Sequence, residues 1–233
     1  MTKVCFVIPA YNESGAIGGV IKDLEKNMKK SPYSYEIVVV DDGSKDDTAD
    51  VSRKYGVRVI SHIINMGSGS ATATGLYFAH KNGFDVAATL DADGQHDTKD
   101  ILNGVDILLK TGCDLLIGSR LKTKGGMSTK KRIGNKGLSL ITFLLFGVSV
   151  TDSQSGLRIF SKSALENLRW KTSGYEFCSE MIWRAKQQGL KIDEYPIRAI
   201  YTDYSKQKGQ SNWNAYNIVI SLLKRRIVEL VSE

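Results

Sequence analysis

The chain has 233 residues, 42% hydrophobic and 24% charged, the composition of an ordinary globular protein with a substantial core. Its formal net charge of +7 favours anionic partners, while three scattered cysteines (Cys5, Cys113, Cys178) give neither a disulfide framework nor a zinc pattern and fit a reducing cytoplasm. The N-terminus has no apolar leader and no run reaches the roughly 18 apolar residues of a bilayer span, so neither secretion nor a transmembrane segment is expected.

Five short runs rich in β-branched residues follow one another: "VCFVI" from Val4, "EIVVV" from Glu36, "VRVIS" from Val57, "DVAATL" from Asp85 and "DLLIG" from Asp114. Consecutive apolar positions predict strands covered on both faces. Helical segments lie between them. "DDTADVSRKYG" has Asp46 or Asp47 as N-cap and Gly56 beyond its end. "DTKDILNGVDILLKTG" has Asp97 as N-cap, a periodic apolar set and Gly112 as stop. Such alternation implies right-handed βαβ units and an α/β fold with a mostly parallel central sheet and helices on both faces.

After Ser119 the pattern changes. "RLKTKGGMSTKKR", Arg120 to Arg132, is basic, contains no acid and has a Gly125-Gly126 hinge; it reads as a solvated loop. "LSLITFLLFGVSV", Leu138 to Val150, is apolar nearly all round, as either a core helix or one lying in a membrane interface would be. "GLRIFSKSAL" and "KIDEYPIRAIY" predict further strands, with the helix "SEMIWRAKQQG" between them. Residues 1–213 are taken as one domain, and 214–233 as a basic amphipathic helix suited to docking on a membrane or partner.

Open parallel sheets bind ligands at the carboxyl ends of their strands. Those ends read "PAYNE", "DDGS", "HIINMGSG" and "DADGQH", which gathers Glu13, Asp41, Asp42, Asp91 and Asp93 on one edge. So many carboxylates repel one another unless a cation or hydrogen-bond donors relieve them. Asp91 and Asp93, at i and i+2 on an extended segment, point the same way, and Gln95 adds a neutral oxygen. Few, hard oxygen ligands suit Mg²⁺ or Mn²⁺ bridging to phosphates. An EF-hand is excluded, because its sixth and twelfth positions would be His96 and Leu102. "NMGSGSATATG", from Asn65, follows the third strand and lacks dinucleotide-binding spacing; its small residues predict close helix–sheet packing, with Gly67 and Gly69 admitting a ligand. His62 and His80 read as structural, whereas His96 is the histidine near the site.

"IPAYNES", "VVVDDGSKDDT", "LDADGQH" and "GSR", in that order, resemble the family 2 glycosyltransferases of GT-A fold, in the branch of the dolichyl-phosphate mannose synthases and polyprenyl-phosphate sugar transferases. The resemblance implies that Pro9, Ala10, Tyr11 and Glu13 line the nucleotide pocket, that Asp42 lies near base and ribose with Asp41 close by, and that Asp91 and Ala92 border the donor. It assigns the metal to Asp93 and Gln95, and places Arg120 and Lys208 near the phosphates. "DSQSGLR" would lie at the acceptor, giving Ser155 and Arg158, joined by Arg132 from the basic segment. Ser68 stands where relatives often place a cation, and Tyr201 or Tyr204 where mannose synthases tend to place arginine.

The activity implied is a metal-dependent, inverting transfer from a nucleotide-diphosphate sugar to a polyprenyl phosphate such as undecaprenyl or dolichyl phosphate. A UDP-sugar is favoured over GDP-mannose as donor. Transfer to a sugar hydroxyl, on a lipid-linked glycan or in cell-surface polysaccharide synthesis, would instead need a carboxylate base, for which Asp152 and Glu180 are the candidates. A sugar nucleotidyltransferase is disfavoured by "PAYNES" after the first strand, and a non-catalytic binding module by the intact metal positions. No nucleic-acid motif is visible. The expected place is the cytoplasmic face of an anionic membrane, held peripherally, with a separate small membrane protein as a conceivable partner of the C-terminal helix.

Overall fold

Strand β1 (Lys3–Ala10) is apolar along its length because both its sides are covered: Cys5 and Val7 enter one core cluster, and Val4, Phe6 and Ile8 the other. The computed structural model describes residues 1–123, 127–200 and 212–232. Lys124, the Gly125-Gly126 hinge, Tyr201, Tyr204 and Lys208 lie outside the described residues.

The five predicted strands are β1, β2 (Ser34–Asp41), β3 (Arg58–Ser61), β4 (Val86–Thr89) and β5 (Leu115–Ser119). With β6 (Arg158–Ser161) and β7 (Ile192–Pro196) they form one sheet in the order β3-β2-β1-β4-β6-β5-β7. β6 is antiparallel to both its neighbours and the remaining pairs are parallel. The insertion of β6 between β4 and β5 brings the "DSQSGLR" segment against the end of β4.

Helices α1 (Ile17–Met28), α2 (Thr48–Lys54) and α4 (Thr98–Thr111) cover one face of the sheet, and α3 (Ser68–Lys81), α5 (Thr129–Phe146), α6 (Lys162–Asn167) and α7 (Phe177–Gln187) the other. The α4 signals operate as read: Asp97 accepts from Lys99 N–H, and Gly112 closes the helix at φ 65°. At α2 the capping carboxylate is Asp46, which accepts from Thr48 N–H at 3.0 Å, while Asp47 makes no cap bond. In α3, Gly75 lets the helix settle on the sheet, since a Cβ there would lie 2.1 Å from Val7.

The basic segment is only partly a loop, because α5 starts at Thr129 with Ser128 as its capping side chain. Leu138, Ser139, Thr142 and Phe146 face the core, while Ile133, Leu140, Phe143 and Leu144 are exposed, so the apolar run after residue 138 serves both the core and an outer surface. Helix α8 (Asn212–Ser232) packs against α5, buries Ile218 and Leu222 in the same cluster and exposes Leu223, Ile227 and Val228.

Candidate active site

Register assembles the site. Ala10 lies level with Asp41, and Asp41 with Ser61, so the turns after β1, β2 and β3 leave the sheet at one edge. The first two turns are laced together: Asn12 N–H donates to Ser44 Oγ, Lys45 N–H to Asn12 Oδ1 and Glu13 N–H to Thr48 Oγ1. Asn12 takes φ 54°, a left-handed conformation held by these bonds. Tyr11 stays partly exposed at the rim, above the end of β1 formed by Pro9 and Ala10. Asp41 is buried and accepts Ser44 N–H at 3.3 Å.

The turn after β4 carries the other carboxylates. Ala92 is buried, whereas about half of the Asp91 side chain faces solvent. Asp91 rests on Gly156, where a Cβ would lie 2.3 Å from its Oδ1. Desolvation opposes its charge, but the His96 hydrogen bond at 2.9 Å and the neighbouring positive groups hold its pKa below the usual range. Asp93 accepts Gln95 N–H at 3.0 Å and Gln95 Nε2 at 2.6 Å. Burial, then the charges of Asp91 and Glu13, push its pKa up to about 6. An acid strained in this way is relieved by a cation, so the donor set fits a hard divalent ion. No group of three or more His, Cys, Asp or Glu side chains gathers to hold a metal among the described residues. Asp93 and Gln95 would offer such an ion one carboxylate and one amide oxygen.

Asp42 has a different setting. It is 2% exposed, and its carboxylate accepts from Met66 N–H, Gly67 N–H and His62 Nδ1. Gly67 and Gly69, expected to admit a ligand, admit protein backbone instead: a Cβ at Gly67 would lie 2.4 Å from Ser173 O, and Gly69 N–H donates to that same oxygen.

Beyond β5, the charged groups expected at the acceptor are paired or enclosed. Asp152 is fully buried, and Arg120 grips it through Nε at 2.7 Å, Nη2 at 2.8 Å and its backbone N–H. Arg158 is also enclosed; its guanidinium donates to Ser155 O and Ser153 O beside Met181 Sδ, so it shapes the 153–155 turn from behind. Burial lowers its pKa. Ser155 is buried, and its Oγ has no hydrogen-bond partner among the described residues. Arg132 reaches back from α5 to Thr123 O and Leu121 O.

Glu180 is built into the scaffold. Its carboxylate accepts from Lys171 and Thr172 N–H and lies 3.4 Å from both Arg184 and Arg225. Burial opposes its charge, yet the Thr172 bonds, Arg225 and Lys171 hold its pKa below the usual range. Arg184 and Arg225 also share Glu229, which fastens α8 to α7.

Sequence reasoning missed the His62 and Thr74 contacts behind Asp42, the seat of Asp91 on Gly156, and Glu194, which accepts from Thr151 and Asp152 N–H. The signal for Gly156 was its place in "SGLR"; the others pair residues far apart in sequence.

Residues 5–169 match the profile of glycosyl transferase family 2. An uncharacterized protein of Methanocaldococcus jannaschii is 44% identical over 230 residues, covering 97% of this chain and 93% of that protein. A UDP-N-acetylglucosamine–dolichyl-phosphate N-acetylglucosaminyltransferase of Methanococcus voltae is 40% identical over 243 residues, covering 94% of each. Among solved structures, glucosyl-3-phosphoglycerate synthase of Mycobacterium tuberculosis with Mn²⁺, UDP and glucosyl-3-phosphoglycerate superposes with a TM-score of 0.68 at 22% identity, covering 97% of this chain and 80% of that one. That likeness shows the GT-A fold.

Proposed function

The chain belongs to glycosyl transferase family 2 and is a glycosyltransferase, and from that premise we propose that it moves a sugar from a nucleoside-diphosphate donor, with UDP favoured, to a polyprenyl phosphate, inverting the anomeric carbon. The observation that carries this reading is the state of Asp152. The acid best placed in sequence to act as a base is enclosed and doubly held by Arg120, as a scaffold acid is. A phosphate monoester, with a second pKa of about 6, is already anionic near neutral pH and needs no protein base. A sugar hydroxyl does need one. The name of the Methanococcus voltae relative supports the same acceptor and a UDP donor.

Bound at Asp93 and Gln95, Mg²⁺ or Mn²⁺ would supply positive charge to the diphosphate as it departs. The chain's own residues do the rest. Pro9, Ala10, Tyr11, Glu13, Asp41, Asp42 and Ala92 border the nucleotide, and Asp91 faces the donor with His96 fixing its carboxylate. Arg120, together with Lys208, offsets charge on the leaving group. The 153–155 turn, backed by Arg158, and the Arg132 end of α5 border the acceptor. An acceptor phosphate oxygen forms the new bond to the anomeric carbon while the bond to the donor diphosphate breaks, and its electron pair leaves with the nucleotide.

The outer faces of α5 and α8 support work at a membrane surface. Ile133, Leu140, Leu144, Leu223 and Ile227 are exposed there, Lys130, Lys131 and Lys136 stand beside them, and no acid occurs between Asp114 and Asp152. No described helix is long and apolar enough to cross a membrane. Liposome flotation tests this: recovery with anionic vesicles is expected, and equal recovery in the soluble fraction with and without them would remove it. The activity itself is tested with radiolabelled UDP- and GDP-sugars, Mn²⁺ and a membrane lipid extract. Label moving into a lipid phosphodiester supports the proposal; label reaching only glycan hydroxyls overturns it, as does pyrophosphate release from a nucleoside triphosphate and a sugar 1-phosphate without any transfer to lipid.

A further inference from the structure

Glu194 is a charged residue on the edge strand β7, yet its side chain is only 10% exposed. Side chains alternate along a strand, and here Tyr195 joins the core under α4 while Ile192 packs against the opposite core, on the side that Glu194 shares. Glu194 Oε1 accepts Thr151 N–H at 2.8 Å, the Thr151 hydroxyl at 2.9 Å and Asp152 N–H at 3.2 Å. Lys122 Nζ donates to Glu194 O at 2.9 Å and lies 3.8 Å from Oε2. Three donors on one oxygen tie the 151–152 turn to the sheet, and Ser139 Oγ, donating to Thr151 O, ties it to α5.

Asp152 is the next link, because its carboxylate takes Arg120 by Nε, Nη2 and the backbone N–H. A guanidinium gripped along its Nε–Nη2 edge has its plane fixed, and with it the direction of the third nitrogen. Arg120 reaches the site, where its charge helps to hold the Asp91 pKa down. Glu194 therefore steadies both halves of the ion pair: Asp152 by its amide and, through Lys122, the chain just past Arg120. Without this carboxylate, water could serve the exposed Thr151, but Asp152 is sealed. Its amide would have to turn to find another acceptor, and the Asp152 side chain would turn with it. We propose that Glu194 is a positioning residue that aims Arg120 at the departing diphosphate through the 151–152 turn. The diphosphate rests on the function proposed above; the aiming of Arg120 does not.

The test follows Arg120 directly. In the ligand-free protein its Nε–H gives a nitrogen–proton NMR signal, assigned by its loss in Arg120→Lys. Exchange of that proton with water is expected to quicken about tenfold or more in Glu194→Ala, and to stay near the wild-type rate in Glu194→Gln, which keeps an acceptor oxygen. With a UDP-sugar and dolichyl phosphate as substrates, Glu194→Ala should lower kcat about tenfold and leave both KM values within about threefold. Glu194→Gln should recover most of that rate. In an Arg120→Gln background, Glu194→Ala should cost little more, because the group it aims is already gone. Equal Arg120 exchange in wild type and Glu194→Ala overturns the proposal. An undiminished loss of kcat in the Arg120→Gln background also overturns it, by making Glu194 a brace with no path through Arg120. Should Glu194→Ala fail to fold, Glu194→Asp, one methylene shorter, takes its place in both measurements. If the wild type transfers no sugar, the function proposed above falls, and exchange at Arg120 still decides the aiming.

Discussion

Asp91 and Asp93, in the turn after β4, and Asp152 and Glu180, in the second half of the chain, are all acids set against packed protein, yet their charges are balanced by different means. Asp152 and Glu180 are fully enclosed and each is met by arginine, Asp152 by Arg120 and Glu180 by Arg184 and Arg225. Asp93 accepts the Gln95 amides, but burial and the charges of Asp91 and Glu13 outweigh these bonds and nearby His96, and its pKa rises to about 6. Asp91 is half exposed, is hydrogen-bonded to His96 and lies in the field of Arg120 and Arg158. An acid whose counter-charge is built into the fold supports the fold; an acid whose counter-charge is missing leaves room for a ligand that brings one.

The comparison breaks most sharply at Glu180. Glu180→Ala leaves Arg184 and Arg225 to share Glu229 alone and unties Lys171 and Thr172, and should cost about 3–5 kcal/mol in urea denaturation. Its folded pKa is lowered, so the stabilisation it gives is complete at neutral pH and is lost as pH falls through the glutamate range; the gap between wild type and variant should close in acid. Next comes Gly156→Ala, which drives a methyl into Asp91 and should cost about 1–3 kcal/mol while lowering transfer at least tenfold.

At the ligand-facing end the sign reverses. Asp93 holds its proton more tightly when folded than when unfolded, with a pKa of about 6 against 3.8, so stability falls as pH rises between those values. Asp93→Asn should therefore stabilise the metal-free protein at pH 7 by about 1–2 kcal/mol, less at pH 5, and abolish any Mn²⁺-dependent rise in melting temperature with UDP. A loss of stability would return Asp93 to the scaffold. The smallest change expected is Asp97→Ala, which removes the α4 cap and should cost about 1 kcal/mol in urea denaturation at neutral pH.

The first half of the fold was legible because its signals are local. Continuous apolar runs, Asp97 and Gly112 declare strand and helix boundaries within a few residues, and level strand ends then bring the acids together. β6 was legible as a strand but not as the antiparallel insert beside β4, because four residues carry no record of which neighbours they will meet. The start of α5 was hidden by its lysines, although Ser128 was available as a cap. Within the site, composition alone could not distinguish Asp41 from Asp42. Their different surroundings depend on where the 62–67 loop returns, a contact made across more than twenty residues. Arg158, read as an acceptor contact, lies in the core because the insertion of β6 buries both its sides.

The link between Glu180 and Arg225 also bears on how the molecule is made. A ribosome delivers α7 and the 171–172 segment well before it delivers α8, so for part of its synthesis the nascent protein holds Glu180 with Arg184 and two backbone amides alone. Ile218, Leu222 and Arg225 then arrive together, closing a groove that until that moment leaves apolar side chains uncovered, where a chaperone would find them.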